Sequence, residues 1–334
     1  MMDNNAPRQP PEKKSKTWLL KLIVSGGIIT LILTQVDIPA FLKAIVTANP
    51  LWLAGVLALI YMEQMVVAFS WRAMLSTKGF NLPFKPVLDI LLVSNFIGFV
   101  MPSSMGSDVV KVVSLSRYIS NTAEALSSLV VFRGVGYIML FGIAATAAAL
   151  FPGRLPDAPV IELTTMAVTA LAALFVAGFF FSTPMTRAGA VVLDWFGRDG
   201  LKAKLLKLHS AFISYMKPGP AMYMALSGAA ALQMNRIICV YMTSLALGFN
   251  VDFVAFCVFV PVIAALMMIP VSISGIGVRE GGYVFFFTYA GLDAGQALSL
   301  GVLSFAMDLT FVMLGGLVYW KKGTTKPVPG ETAP

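Results

Sequence analysis

Long apolar runs alternate with short polar segments along nearly the whole chain. A transmembrane helix needs roughly 20 mostly apolar residues. Seven runs are close to or above that length, namely 18–36, 51–71, 123–151, 163–181, 221–247, 253–273 and 294–320. Two further runs, 90–101 and 281–291, are shorter and typical of re-entrant or half-helices. The pattern predicts an all-α fold, a polytopic transmembrane helix bundle of about seven to eight spans with re-entrant or broken helices.

Composition excludes a water-soluble globule. Hydrophobic residues make up 58% of the chain and charged residues 12%, with a mean hydropathy of +0.82. Soluble domains carry roughly 25% charged residues. The chain therefore lacks the polar surface that a soluble domain of its length needs.

The net charge of +8 follows the membrane pattern rather than that of a nucleic-acid-binding protein. Basic residues concentrate in the N-terminal tail (1–17), in the loop 183–220 and in the C-terminal tail (321–334). Such a bias marks cytoplasmic segments. We expect both tails and the loop to lie in the cytoplasm. The tails flank a membrane domain over 18–320, and the loop interrupts it. We expect no nucleic-acid partner.

This orientation constrains the segment 86–122, which must leave and re-enter the membrane on one side. Either a re-entrant hairpin or two short crossings would satisfy that.

In the loop 183–220, Leu201, Leu205, Leu208 and Phe212 recur at helical spacing. They predict an amphipathic helix that lies either on the anionic inner leaflet or against the protein's own cytoplasmic face.

Two similar segments, 101–111 and 269–280, predict breaks within apolar helices. Proline interrupts a helix, glycine permits the conformations of a break, and serine can satisfy freed backbone groups. The predicted break elements are Pro102, Gly106, Pro270, Gly275 and Gly277, and the serines beside them are Ser103, Ser104, Ser272 and Ser274. New helix N-termini attract phosphate, and paired interrupted helices are typical of transporter sites. The alternative is a pair of ordinary breaks between packed helices.

Eight charged residues lie at membrane depth or at these breaks. A charge at the bilayer centre costs at least about 2.5–3.5 kcal/mol, so such residues face protein or water and often mark a pathway. The bases are Lys111, Arg133, Arg236 and Arg279, and the acids are Glu63, Asp108, Glu280 and Asp308. We predict that the bases and the four serines bind a lipid headgroup or phosphate, and that the acids are charge partners or gating groups. The alternative is a set of structural ion pairs. Trp71 and Arg72 are more typical of an interfacial anchor.

Chemistry of other kinds is not indicated. The chain has one histidine and two cysteines, and it lacks nucleotide-binding and hydrolase motifs. We predict no catalytic residue, no metal site and no cofactor.

Three stretches carry a resemblance to a known family. They are Trp71-Arg72 with Leu75 and Gly79; Asn95 to Pro102 with Gly106, Asp108, Lys111, Arg117, Arg133 and Gly136; and Pro270 to Ser272 with Gly275, Gly277, Arg279, Glu280, Gly291, Ala297-Leu298 and Gly315-Gly316. In them the chain resembles the flippase-like transmembrane region of lysylphosphatidylglycerol synthases and the stand-alone membrane proteins that share it. It departs from the family at Ser107, at Lys111, where arginine is usual, and at Phe132, where an acid is common. The last departure leaves the partner of Arg133 open.

The resemblance implies translocation or binding of an anionic phospholipid or a polyprenyl-phosphate-linked lipid in a bacterial cytoplasmic membrane. One alternative is a membrane subunit or enzyme of lipid modification, of the aminoacyl-phospholipid type, without its soluble catalytic domain. Asp108 with Glu280 would be its only candidate acid–base pair. Another alternative is a scaffold for lipid-synthesis enzymes. No soluble transferase domain is visible in the sequence, so enzyme activity stays open and is not favoured.

Overall fold

A computed structural model describes residues 38–100, 106–150, 159–195, 198–215, 219–268, 275 and 277–322. Almost all of these residues are helical and none forms a strand, which confirms the all-α prediction. The described helices are α1 (Ile38–Val46), α2 (Pro50–Ser76), α3 (Phe84–Val100), α4 (Gly106–Ile119), α5 (Thr122–Leu150), α6 (Pro159–Phe181), α7 (Thr183–Trp195), α8 (Asp199–Tyr215), α9 (Pro220–Ala246), α10 (Phe253–Met268), α11 (Val278–Thr288) and α12 (Ala294–Lys322).

Three of the described helices, α2, α5 and α12, are long and apolar enough to cross a membrane, and shorter apolar helices accompany them. α9 is as long as α2, at 27 residues, and carries Gln233, Asn235 and Arg236 near its middle. Large apolar side chains such as Leu51, Met62 and Phe69 are exposed on the outside of the bundle, as lipid-facing positions require. The chain is a multi-pass membrane protein. The predicted first span, 18–36, lies outside the described residues.

Helices α3 and α4 pack against each other as a hairpin in the segment 86–122. α3 has 17 residues and α4 has 14, or about 25 and 21 Å at 1.5 Å per residue, less than a full hydrocarbon thickness. The apolar run 90–101 underestimated α3, which begins at Phe84 and includes Pro86, because proline is tolerated in the first turn of a helix. The two helices touch closely, since a Cβ added at Gly98 would lie 2.4 Å from Ser107 Cβ.

The helices pack around one hydrophobic core at each end of the bundle. The loop-end core joins α2, α3, α4, α5, α8 and α9, through residues that include Trp71, Leu91, Phe212, Tyr215 and Ala229. The opposite-end core joins α5, α9, α10, α11 and α12, through residues that include Val240, Phe259, Tyr283, Phe287 and Leu300. At that second end the Asn49 N–H donates to the Ala246 carbonyl over 2.7 Å, which ties the start of α2 to the end of α9.

Trp71 is buried inside the bundle, so its ring does not face the lipid headgroups as the predicted anchor would. Its side chain is 1% exposed, and its Nε1 donates to Ser128 Oγ over 3.3 Å. The ring therefore packs inside the loop-end core. The sequence could not show this, because tryptophan suits both an interface and a core.

The second break lies between α10 and α11. α10 is described as far as Met268, and the predicted end of this run at 273 lies outside the described residues. Gly275 and Gly277 have φ of +78° and +86°, a region that favours glycine. Both glycines therefore have a backbone conformation that suits a break, and α11 starts directly after Gly277.

The loop after α6 folds as two helices, α7 and α8, rather than the single predicted one. Phe212 and Tyr215 of α8 are fully buried, and His209 Nδ1 lies 3.1 Å from Thr186 Oγ1 of α7. The C-terminal half of α8 therefore packs against the protein's own face, one of the two predicted alternatives. Leu201, at its other end, is 48% exposed.

Candidate functional site

Two cavities lie between the two cores and meet near the middle of the bundle. The first cavity, of about 200 Å³, borders the loop-end core at Trp71, Leu91 and Ala229. The second cavity, of about 430 Å³, borders the opposite-end core at Val240 and Tyr283. Five residues line both: Glu63, Gln64, Asn95, Tyr137 and Arg236. Because α2, α3, α5 and α9 each supply one or two of them, the four helices together build a polar junction inside an apolar bundle.

Arg236 and Glu63 form the ion pair at this junction. Arg236 Nε donates to Glu63 Oε1 over 3.1 Å, and Asn235 Nδ2 donates to Glu63 Oε2 over 3.2 Å. The Glu63 side chain is 10% exposed, whereas 57% of the Arg236 side-chain surface is open. Since Arg236 lies near the middle of α9 and lines both cavities, its open surface faces the cavities. Its terminal nitrogens donate to none of the described residues.

A second charged group stands where α4 meets α5. Arg133 Nη2 donates to Asp108 Oδ1 over 2.8 Å, and Lys111 Nζ lies 4.0 Å from the same oxygen. Asp108 is therefore the partner of Arg133 that the sequence left open. Lys111 and Arg133 also line the first cavity, and the Arg133 side chain is 42% exposed. One carboxylate thus faces two bases.

The third charged group, Arg279 and Glu280, lies at the start of α11, directly after the second break. Glu280 Oε2 accepts the Gly277 N–H over 2.6 Å, which caps the start of α11. Glu280 Oε1 accepts from Arg279 Nε over 3.0 Å and also from Arg279 Nη2. The Arg279 guanidinium carbon lies 3.9 Å from the centre of the Phe305 ring, a cation–π contact. Arg279 and Glu280 are each 8% exposed. The N-terminus of α11 is occupied by the Glu280 carboxylate of the chain itself.

Asp308 differs from the other three acids. It lies near the middle of α12 and lines the second cavity together with Glu63, Arg236 and Arg279. Glu63, Asp108 and Glu280 each have an ion pair, whereas Asp308 has none with any residue that the structure describes.

The structure thus brings most of the predicted site residues together. Glu63, Lys111, Arg133, Arg236, Arg279 and Asp308 line the joined cavities, and Asp108 and Glu280 pair with lining bases. Gly106 starts α4. The predicted residues Pro102, Ser103, Ser104, Pro270, Ser272 and Ser274 lie outside the described residues, and their role in phosphate binding stays a prediction.

Neutral polar residues of the cavities were missed. Gln64, Asn95, Tyr137 and Gln233 line one or both of them. Gln233 is 6% exposed, and its Oε1 has no hydrogen-bond partner among the described residues. A signal was present, because Gln64 adjoins Glu63 and Gln233 precedes Arg236 by one helical turn. Within the described ranges no group of acids, histidines and cysteines could hold a metal ion.

Comparison with known proteins agrees with these features. No curated protein and no solved structure is significantly similar to the chain. The profile of the family described as lysylphosphatidylglycerol synthase TM region matches residues 18–316, which include every described residue that lines the two cavities. The protein is therefore a membrane protein related to lipid metabolism, and it belongs to the lysylphosphatidylglycerol synthase TM region family.

Proposed function

We propose that the protein binds the anionic headgroup of a membrane lipid in the first cavity and moves it across the membrane through the second. The observation that carries this proposal is the charge of the first cavity. Its lining includes the bases Lys111, Arg133 and Arg236 and the acid Glu63, and Asp108 pairs with Arg133 at its edge, so three bases face two acids. An anion that enters it meets a surplus of positive charge.

Geometry supports an anion as the ligand. Arg133 and Arg236 each use one nitrogen on a carboxylate and keep other guanidinium donors open toward the cavity. Two such donors on one guanidinium match two phosphate oxygens. The buried Gln233 Oε1 in the same wall has no hydrogen-bond partner among the described residues, and it suits a hydroxyl or ammonium donor of a headgroup.

The position of the cavities supports translocation. Arg236, Glu63 and Asp308 lie near the middles of α9, α2 and α12, and the second cavity continues from this junction toward the opposite-end core. A polar route at mid-membrane depth lowers the cost of carrying a charged headgroup through the apolar layer. Transporter sites built near broken helices lie at this depth.

The charged residues have different roles in this proposal. Lys111, Arg133 and Arg236 bind the headgroup, and Asp108 and Glu63 hold two of those bases in place. Arg279 is already engaged by Glu280 and Phe305, so its part in headgroup binding stays a prediction. Enzyme activity at Asp108 with Glu280 is less favoured, because each carboxylate is engaged by an arginine.

Lipid binding to the purified protein tests the proposal. Phosphatidylglycerol and phosphatidylcholine would be titrated separately into the detergent-solubilised protein, and bound lipid counted by native mass spectrometry. We expect preference for phosphatidylglycerol, and weakening of at least about tenfold in Arg133→Gln and Arg236→Gln, because hydrogen bonds to charged groups contribute about 1.5–3 kcal/mol. Arg117→Gln, on the exposed last turn of α4, is the matched control. Equal binding by all variants would remove the first cavity as the headgroup site.

A further inference from the structure

The eight charged residues of the site balance one another before any lipid binds. Asp108, Glu63 and Glu280 pair with Arg133, Arg236 and Arg279. Lys111 lies beside the Asp108–Arg133 pair, and Asp308 lines the second cavity without an ion pair to any described residue. Four acids face four bases, and the sum is zero. Among the described residues, Asp308 is the member of this set that has no ion pair.

A lipid phosphodiester would break the balance. It carries one negative charge into a cluster at membrane depth, where an uncompensated charge is costly. The headgroup also competes with Glu63 for Arg236, and so reduces the positive charge that faces the carboxylates. A neutral complex requires one cation to arrive with each lipid anion.

We infer that Asp308 is the binding site for that cation, a proton or a small monovalent ion taken up together with the anionic headgroup. The inference rests on the proposed function and adds a coupling ion to it. The Ser304 hydroxyl lies one helical turn before Asp308 and lines the same cavity, where it is buried beside the Tyr283 side chain. A cation beside Asp308 would have this oxygen as a second ligand.

The groups that face Asp308 across the second cavity come from several helices. Those that are charged or titratable are Glu63 of α2, Tyr137 of α5, Arg236 and Cys239 of α9, and Arg279 and Tyr283 of α11. α3 contributes neutral Asn95, and α10 contributes apolar side chains. Of the acids here, Glu63 is held by Arg236 and Asn235, whereas Asp308 has no ion pair with a described residue, so Asp308 is the acid that would take the cation.

Linkage fixes the sign of the effect. If lipid and proton bind together, each must tighten the other by the same factor. Affinity for phosphatidylglycerol should then rise as pH falls, by up to about tenfold per pH unit for one proton. Asp308→Asn imitates the neutral acid, so it should bind tightly with no pH dependence, whereas the surface variant Asp194→Asn should keep the wild-type dependence.

The experiment measures phosphatidylglycerol affinity of the full-length protein from about pH 5 to about pH 8, first with sodium chloride and then with choline chloride. A pH slope lost in Asp308→Asn assigns a proton, and a sodium-dependent affinity lost in Asp308→Asn assigns sodium. Affinity that depends on neither ion, or a dependence that Asp308→Asn retains, overturns the inference. Absence of any preference for phosphatidylglycerol over phosphatidylcholine is a separate result, and it overturns the proposed function itself.

A second measurement needs no variant. Phosphatidylglycerol is added to wild-type protein in weak buffer with a pH-indicator dye. Uptake of about one proton per bound lipid is expected if the coupling ion is H⁺. No uptake, combined with no sodium dependence, overturns the inference even if Asp308→Asn fails to fold.

Discussion

Glu63→Gln should tighten the binding of an anionic lipid, although it removes part of a buried ion pair. In the structure Glu63 competes with any incoming anion for Arg236, whose Nε it accepts at 3.1 Å. Glutamine keeps the length of the side chain and an oxygen that can accept from Asn235 Nδ2. The change therefore removes the competing charge and little of the shape.

The expected size follows from the ion pair. Two unit charges about 4 Å apart attract each other by about 1 kcal/mol in water and about 4 kcal/mol at an effective dielectric constant of about 20. Because 57% of the Arg236 side chain faces open cavity, screening favours the lower part of this range. A gain of about 1.5 kcal/mol in binding corresponds to a dissociation constant about tenfold lower.

The assay is the titration of phosphatidylglycerol against phosphatidylcholine described above, at constant pH and salt. Glu124→Gln is the matched control, since it removes the same charge from the first turn of α5, where Glu124 accepts from the Tyr215 hydroxyl. Glu63→Gln protein that is stably folded and binds phosphatidylglycerol no more tightly than wild type would refute the reasoning, because Arg236 would then not contact the headgroup.

Four further predictions test the architecture. Gly136→Leu should abolish headgroup binding, because its Cβ would already lie 3.2 Å from Gln233 Nε2 in the wall of the first cavity, whereas Gly142→Leu, with nothing within 4 Å, should bind normally. Gly98→Ala should lower the melting temperature and the free energy of unfolding, the latter by about 1–3 kcal/mol, because the new Cβ would lie 2.6 Å from the Ser107 backbone nitrogen. Gly142→Ala is its control, and equal melting temperatures of the two variants would contradict the close packing of the α3–α4 hairpin. Glu280→Gln should cost about 1–3 kcal/mol of stability in thermal unfolding, because Arg279 loses its charged partner and the Gly277 N–H a charged acceptor; an unchanged unfolding midpoint would remove this capping role. A cysteine at exposed Lys207 should react with an impermeant reagent only after the cells are permeabilised, and labelling of intact cells would reverse the predicted orientation.

The helices could be predicted from the sequence because a membrane imposes one simple length and composition on each span. The apolar runs around α2, α5, α6, α9 and α12 predicted those helices to within a few residues. Helices without a long apolar run were harder. α1 and α7 were missed, because short helices with mixed polarity leave no such signal.

Partners within the site could not be predicted with the same success. Asp108 and Arg133 are 25 positions apart on different helices, so their contact depends on how α4 packs against α5. The charges themselves were recognisable because each is costly in an apolar run. Gln233 and Asn95 cost less at that depth and were overlooked, although they line the cavity beside the charges.

The second break shows why a motif can indicate a place without settling its role. Gly275, Gly277, Arg279 and Glu280 predicted a new helix with free amides, and the structure contains that helix. The Glu280 carboxylate accepts a hydrogen bond from one of those amides, the Gly277 N–H, and another from Arg279 Nε. A cap supplied by the chain's own side chain cannot be distinguished from a ligand site in the sequence alone.

Leaflet-resolved transport in proteoliposomes tests the central claim most directly. Purified protein would be reconstituted with a trace of fluorescent phosphatidylglycerol, and dithionite added outside to bleach the label in the outer leaflet. We expect wild-type protein and Arg117→Gln to expose label from the inner leaflet, and Arg236→Gln to leave it protected as in protein-free vesicles. Bleaching by well-folded Arg236→Gln at the wild-type rate would contradict the account.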